Sequence, residues 1–200
     1  MLVGLDLDNT IICYDNLFLK LLREQAWCKE QPDGKQELKN VVVALEDGQQ
    51  KWEFLQWQAY GPRCSEASLS PGFIDFMAQG QQKNIKFCVI SHKTVFAKQD
   101  LQKIHPLREI AMQTLEKWGL FCVPGLPLTK NDIHFADHRD EKLTMINKMA
   151  CDVFVDDLYE VLDHPKFPLS TKPIWFSSQG NINTKLIPYP NWKSVWRCLE

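Results

Sequence analysis

Asp6 and Asp8 stand one residue apart at the end of a short apolar run, Leu2-Val3-Gly4-Leu5, and Asn9 and Thr10 follow at once. Two carboxylates at the end of a buried strand are costly, because both ionise at neutral pH where water is scarce. A divalent cation is the simplest compensation. Residues i and i+2 of an extended chain point to one face, so the two acids can converge on one small site. There one carboxylate can attack an electrophile while the other manages a proton. The same residue types also make turns, in which Asp and Asn bond nearby backbone.

Two further apolar runs end in reactive side chains. Ile85-Lys86-Phe87-Cys88-Val89-Ile90 runs into Ser91-His92-Lys93, and Val153-Phe154-Val155 runs into Asp156-Asp157. In a parallel sheet such strand ends share one edge, where the ligands of open α/β sheets bind. Three coincidences of this kind are hard to assign to turn chemistry.

The elements that must position these residues alternate. Strands are expected at the N-terminus, at 84–90, 132–136, 151–155 and 172–176. Helices are expected at 15–30, 49–59, 72–83, 95–104, 106–119, 140–149 and at the C-terminus, where Trp192, Val195, Trp196 and Leu199 have helical spacing. Asp15 or Asn16 can cap the first helix, and Ser70 with Pro71 resembles an N-cap followed by a first helical position. Residues 35–48 fit helix or strand. Gln31-Pro32-Asp33-Gly34 and 123–127 read as turn and loop.

Strands alternating with helices predict an α/β fold, a Rossmann-like three-layer sandwich on a mainly parallel five-stranded sheet. Residues 1–14 and 71–200 form its core. The aromatic-rich block 15–70 reads as a small, mostly helical cap insert over the site. Trp52, Phe54 and Trp57 pack this block, and Tyr14, Trp52, Trp57, Tyr60, Arg63 and His92 are candidates for a pocket wall.

Two hundred residues bury a full core. With 44% hydrophobic and 24% charged residues and a formal charge of −2, the chain shows neither a disordered composition nor a basic nucleic-acid footprint. Its seven cysteines contain no CxxC pair, and several lie in apolar runs such as Leu120-Phe121-Cys122. They read as core residues of a reduced, cytoplasmic protein. No signal peptide and no apolar run of membrane-spanning length is seen, so no membrane partner is expected. His134 and His138 are four apart but lack the H-E-x-x-H context, which argues against zinc.

With these residues in view, the chain resembles the haloacid dehalogenase (HAD) superfamily of phosphotransfer enzymes. Its four motifs stand as Asp6-Leu7-Asp8-Asn9-Thr10, Val89-Ile90-Ser91-His92-Lys93, a lysine in the helix before the fourth strand, and Val155-Asp156-Asp157. The resemblance covers about residues 1–160, and the 15–70 block sits where that family places a first type of cap.

The resemblance implies a Mg²⁺-dependent phosphomonoester hydrolase acting on a small phosphorylated metabolite through an aspartyl phosphate. Asp6 would be the nucleophile, and Asp8 the general acid and then the general base. Asp6, the Asp8 backbone carbonyl and Asp156 or Asp157 would hold Mg²⁺, with Asp156 expected to bind directly and Asp157 through water or beside the lysine. Asn9, Ser91, His92 and Lys142 would face the phosphate, Lys142 being favoured over Lys148, and Lys93 could also reach it. Asp8 argues for phosphate chemistry over dehalogenation, since a halide leaves without a proton. Alternatives are a phosphotransferase or mutase, a phosphoprotein phosphatase, or a binding protein that keeps the fold.

Overall fold

A computed structural model describes residues 1–27, 32, 34–122, 126–178 and 185–200. In chain order the elements are β1 (Leu2–Leu5), β2 (Ile12–Cys13), α1 (Asp15–Gln25), α2 (Lys35–Val43), α3 (Gly48–Tyr60), β3 (Ser68–Leu69), α4 (Phe73–Gln82) and β4 (Lys86–His92). Then come α5 (Leu107–Lys117), β5 (Ile133–Ala136), α6 (Arg139–Lys148), β6 (Val153–Asp156), α7 (Tyr159–Leu162), β7 (Lys172–Phe176), β8 (Pro188–Tyr189) and α8 (Trp192–Leu199).

Six strands form one sheet in the order β5-β4-β1-β6-β7-β8, and every pairing in it is parallel. The fold is thus the expected α/β, Rossmann-like one, with one strand more than the expected five. The extra strand, β8, has two residues and begins with proline, so no apolar alternation announces it. β1 lies in the middle, with Val3 and Leu5 fully buried. Such burial on both faces is why its sequence reads as an unbroken apolar run. Gly4 is required there: a Cβ would meet Phe154 Cδ2 at 2.5 Å and Cys151 Sγ at 2.9 Å.

α1, α2 and α3 pack on one another between the halves of a separate antiparallel pair, β2–β3, in which Ile12 faces Leu69 and Cys13 faces Ser68. The pair ties the way into this block to the way out. The stretch that fitted either helix or strand is helical over α2, where Leu38 and Val42 bury one face. The block shares a continuous apolar core with the sheet, and Phe18 stacks on Trp52 with ring centres 5.1 Å apart.

Several local expectations are corrected. α1 begins after Tyr14, with Asp15 in its first turn rather than as a cap, and it ends at Gln25, where Ala26 turns left-handed. Residues 28–31 and 33, and 123–125 of the expected loop, lie outside the described residues. The helix expected at 95–104 is a series of turns, because the Asp100 carboxylate accepts the Ile104 and His105 amides at 3.2 and 2.7 Å. A short acid that binds nearby backbone competes with helix formation. Ser70 does not cap α4, which starts after Gly72 at φ 83°. The Ser70 hydroxyl instead accepts the buried Trp192 Nε1–H at 2.9 Å. α8 is capped by Asn191, whose side chain accepts the Ser194 amide at 2.9 Å, and it buries Trp192 and Val195. Cys13, Cys64, Cys88, Cys122, Cys151 and Cys198 are free thiols. Cys122 is exposed rather than a core residue. No described helix is long and apolar enough to cross a membrane.

Candidate active site

The carboxyl ends of β1, β4 and β6 bring Asp6, Ser91 and Asp156 to one edge of the sheet. Asp6 leaves β1 with its amide bonded to the Val155 carbonyl at 2.8 Å. The chain then turns tightly. Asn9 adopts φ 62°, and the Ile11 and Ile12 amides both return to the Leu7 carbonyl at 2.9 Å. Asn is among the residues that accept this backbone most readily, so the motif is built to fold back on itself.

Lys142 stands in the second turn of α6 and is buried at 1% exposure. Its Nζ donates to Asp6 Oδ1 at 2.6 Å and to Asp156 Oδ2 at 2.7 Å. Lys148 lies at the exposed end of the same helix. Asp6 also faces the Thr10 hydroxyl at 3.5 Å. Burial raises the Asp6 carboxyl from its ordinary range to about 7, with Lys142 pulling it down and Asp156 pushing it up. Burial alone would lower the Lys142 ammonium, but Asp156 and Asp6 outweigh it and keep the lysine charged.

Asp8 is held by different residues. The Lys93 Nζ lies 2.7 Å from Asp8 Oδ2, and the Tyr14 hydroxyl donates to Asp8 Oδ1 at 2.9 Å. Lys93 and Tyr14 are both buried. The Lys93 ammonium sits 5.0 Å from the Tyr60 ring centre, and Arg108 Nε donates to the Lys93 carbonyl at 2.8 Å. Burial opposes the charge on Lys93, and Asp8 restores it. Lys93 therefore meets Asp8 and is not among the residues lining the cavity.

The two aspartates open into a cavity of about 640 Å³ between the sheet edge and α1–α3. Asn9, Ser91, His92, Lys142 and Asp157 line it from the core side, and Lys35, Lys39, Trp52, Gln56 and Tyr60 from the helical block. The Asn9 Oδ1 is buried without a partner among the described residues. His92 Nε2 lies 3.1 Å from the Asp137 carbonyl, and burial lowers the pKa of its ring. Of the other candidate wall residues, Tyr14 stands behind Asp8, and Trp57 packs against Phe54 and His105. Arg63 is outside the cavity, paired with Glu24 and Glu66 on the surface of the block.

Asp6, Asp156 and Asp157 each place a carboxylate oxygen within 4.8 Å of the others. An all-oxygen, acid-rich donor set of this kind suits a hard cation such as Mg²⁺. Asp156 and Asp157 differ in their surroundings. Asp156 is fully buried, its Oδ2 taken by Lys142 and its Oδ1 by the Leu158 amide at 2.9 Å. Asp157 lines the cavity, and no hydrogen bond to its carboxylate is found among the described residues. Burial, then Asp6 and Asp156, push its pKa well above the ordinary carboxylate range, and Lys35 and Lys142 offset this only in part.

Lys35 is not legible as a site residue, whereas Tyr14 and Lys93 are expected as a pocket-wall residue and a phosphate contact and stand here on Asp8. Lys35 sits in the helix-or-strand stretch, and no local motif marks a lysine that reaches a site from a separate block. Tyr14 and Lys93 are visible in the sequence, but their convergence on Asp8 is not.

No family model matches the sequence, and no curated protein does. Solved structures do. The chain aligns over 98% of its length with 94% of a HAD-superfamily hydrolase from Ehrlichia chaffeensis, at TM-score 0.54 and 14% identity. It aligns over 96% with 93% of a HAD hydrolase, family IA, variant 3, from Entamoeba histolytica HM-1:IMSS, at TM-score 0.55 and 16% identity. A hydrolase from Streptococcus pneumoniae TIGR4 gives TM-score 0.51 and 11% identity, over 88% of this chain and 92% of that one. These likenesses agree with the parallel six-stranded topology, and the chain shares the fold of those HAD-superfamily hydrolases.

Proposed function

We propose that the chain is a Mg²⁺-dependent phosphomonoester hydrolase for a small phosphorylated metabolite, with residues 15–70 as its cap. The observation that carries this reading is the pair Asp6 and Asp8. Each has a lysine on one oxygen, and both open into one cavity.

Asp6 attacks phosphorus, the bond from phosphorus to the leaving oxygen breaks, and that oxygen takes a proton from Asp8. Water then attacks the aspartyl phosphate. Asp8 takes the water proton, phosphate departs and Asp6 is free again. Lys142 keeps Asp6 oriented, and with Ser91 it meets charge on the transferring group. Asp6, the Asp8 carbonyl and Asp157 would hold Mg²⁺, with Asp156 steadying Lys142. When bound, the cation supplies charge neutralisation between the carboxylates and the phosphate. Asn9 and His92 stand where they can contact phosphate or substrate.

Phosphate release from p-nitrophenyl phosphate and a metabolite panel, with Mg²⁺ or with EDTA, tests the reading. Turnover that needs Mg²⁺ and falls by about three orders of magnitude or more in Asp6→Asn is expected, since the nucleophile is lost. Equal activity in the two proteins would overturn it.

A further inference from the structure

The cations of the cavity divide into two groups. Lys142 and Lys93 are consumed by Asp6, Asp156 and Asp8. Lys35, Lys39 and Arg139 also line the cavity, and none of them forms an ion pair among the described residues. Lys35 is the most constrained of these. It is the first residue of α2, and its ammonium lies 5.7 Å from the Phe18 ring centre and 5.9 Å from that of Tyr60. The aromatic faces orient the cation, and while burial opposes its charge, the Tyr60 side chain, Asp157 and Asp8 favour it. Asp15, Asp157 and Asp8 are the acids that share its surroundings.

Its neighbours add to the same bias. Gly34 precedes it at φ 85° and leaves the start of α2 without a side-chain cap. Gly34, Lys35 and Gln36 all line the cavity, so the amides of this end have no internal partner and favour negative charge. Lys39 follows one turn later on the same wall. A phosphomonoester with an uncharged remainder would leave this wall without a partner in a confined space.

Resting on the phosphatase reading above, we propose that Lys35, with Lys39 beside it, holds a second anionic group of the substrate. The substrate class is then a phosphomonoester that also carries a carboxylate or a second phosphate. The charged lysine discriminates against phosphorylated compounds with a neutral remainder, because only the doubly anionic ones satisfy it.

The test compares kcat/KM with Mg²⁺ for 3-phosphoglycerate, fructose 1,6-bisphosphate and glycerol 3-phosphate, in wild type, Lys35→Met, Lys35→Arg and Lys148→Ala. Wild type should prefer one of the two doubly anionic compounds over glycerol 3-phosphate, and which one distinguishes carboxylate from phosphate. Lys35→Met should reduce that preference by roughly tenfold to a hundredfold, the scale of one charge-assisted contact. It should act mainly through KM, with Lys35→Arg retaining much of the preference and Lys148→Ala all of it. No preference in wild type, or an equal loss on all three compounds in Lys35→Met, would overturn the proposal. Calorimetric binding of the same compounds to Asp6→Asn reads the ratio without turnover. A protein that releases no phosphate thus sinks the phosphatase reading, while the binding ratio still decides for or against Lys35.

Discussion

Asp6 and Asp8 differ less in chemistry than in who surrounds them. Asp6 is enclosed by the sheet and the helix that packs on it: Lys142 comes from α6 and Asp156 from β6. Asp8 is enclosed by residues at the border of the α1–α3 block. Tyr14 immediately precedes α1, Tyr60 ends α3, and Lys93 lies under the Tyr60 ring. Asp6 is thus held from α6 and β6, and Asp8 by residues that follow β2 and β4 and meet the Tyr60 ring of α3. On the proposed function, a nucleophile at Asp6 benefits from a fixed position, and an acid and base at Asp8 benefits from partners of its own.

The largest effect that could break this contrast is at Lys142. Lys142→Ala leaves Asp6 and Asp156 buried without their shared cation, which should cost about 3–5 kcal/mol of stability. Urea unfolding measures it, and adding Asp156→Asn should restore part of the loss. A cost below about 1 kcal/mol would mean that water or a cation replaces the lysine freely, and that the core side is no more rigid than the other.

Lys93 should act on rate before stability. Lys93→Met removes the ammonium 2.7 Å from Asp8 Oδ2, so kcat should be lower by about tenfold to a hundredfold, with KM little changed. Lys93→Arg should restore part of the loss. An unchanged kcat, with stability alone reduced, would assign Lys93 to packing.

Tyr14→Phe removes one hydrogen bond to Asp8 and should cost about 1 kcal/mol. A fall in kcat smaller than that of Lys93→Met is expected.

The smallest effect sharpens the contrast between buried and exposed pairs. Hydrogen bonds from Arg63 and then Lys20 lower Glu66 to about 2. A carboxyl lowered in the folded state adds stability above its ordinary range, and the gain is lost as pH falls through about 2. Arg63→Ala should therefore be less stable than wild type above pH of about 4.5, by at most about 1 kcal/mol for so open a pair, and equal to it near pH 2. A larger difference in acid titration would show that this pairing holds the α1–α3 block together.

The core side was the legible one. The run Leu2–Leu5 names a buried central strand, and the changes from apolar to polar at Asp6, Ser91 and Asp156 name one sheet edge. These signals are local, because a strand buried on both faces has no choice of residue type. Even the choice of lysine had a local cue, as Lys142 stands near the start of α6. The helix expected at 95–104 failed for an equally local reason, since Asp100 binds the backbone that a helix would need.

By itself, then, the sequence determined the parallel α/β sheet, the pairing of Asp6 with Asp8, and the strand ends that meet them. Only the tertiary structure decided who holds each acid. It gave Asp156 to Lys142 and left Asp157 facing the cavity, set Lys93 and Tyr14 on Asp8, and brought Lys35 across from α2. The physical reason is range. Burial and strand pairing write themselves into neighbouring residues, whereas an ion pair between residues 85 or more positions apart, such as Asp8 and Lys93 or Asp6 and Lys142, depends on where whole elements pack.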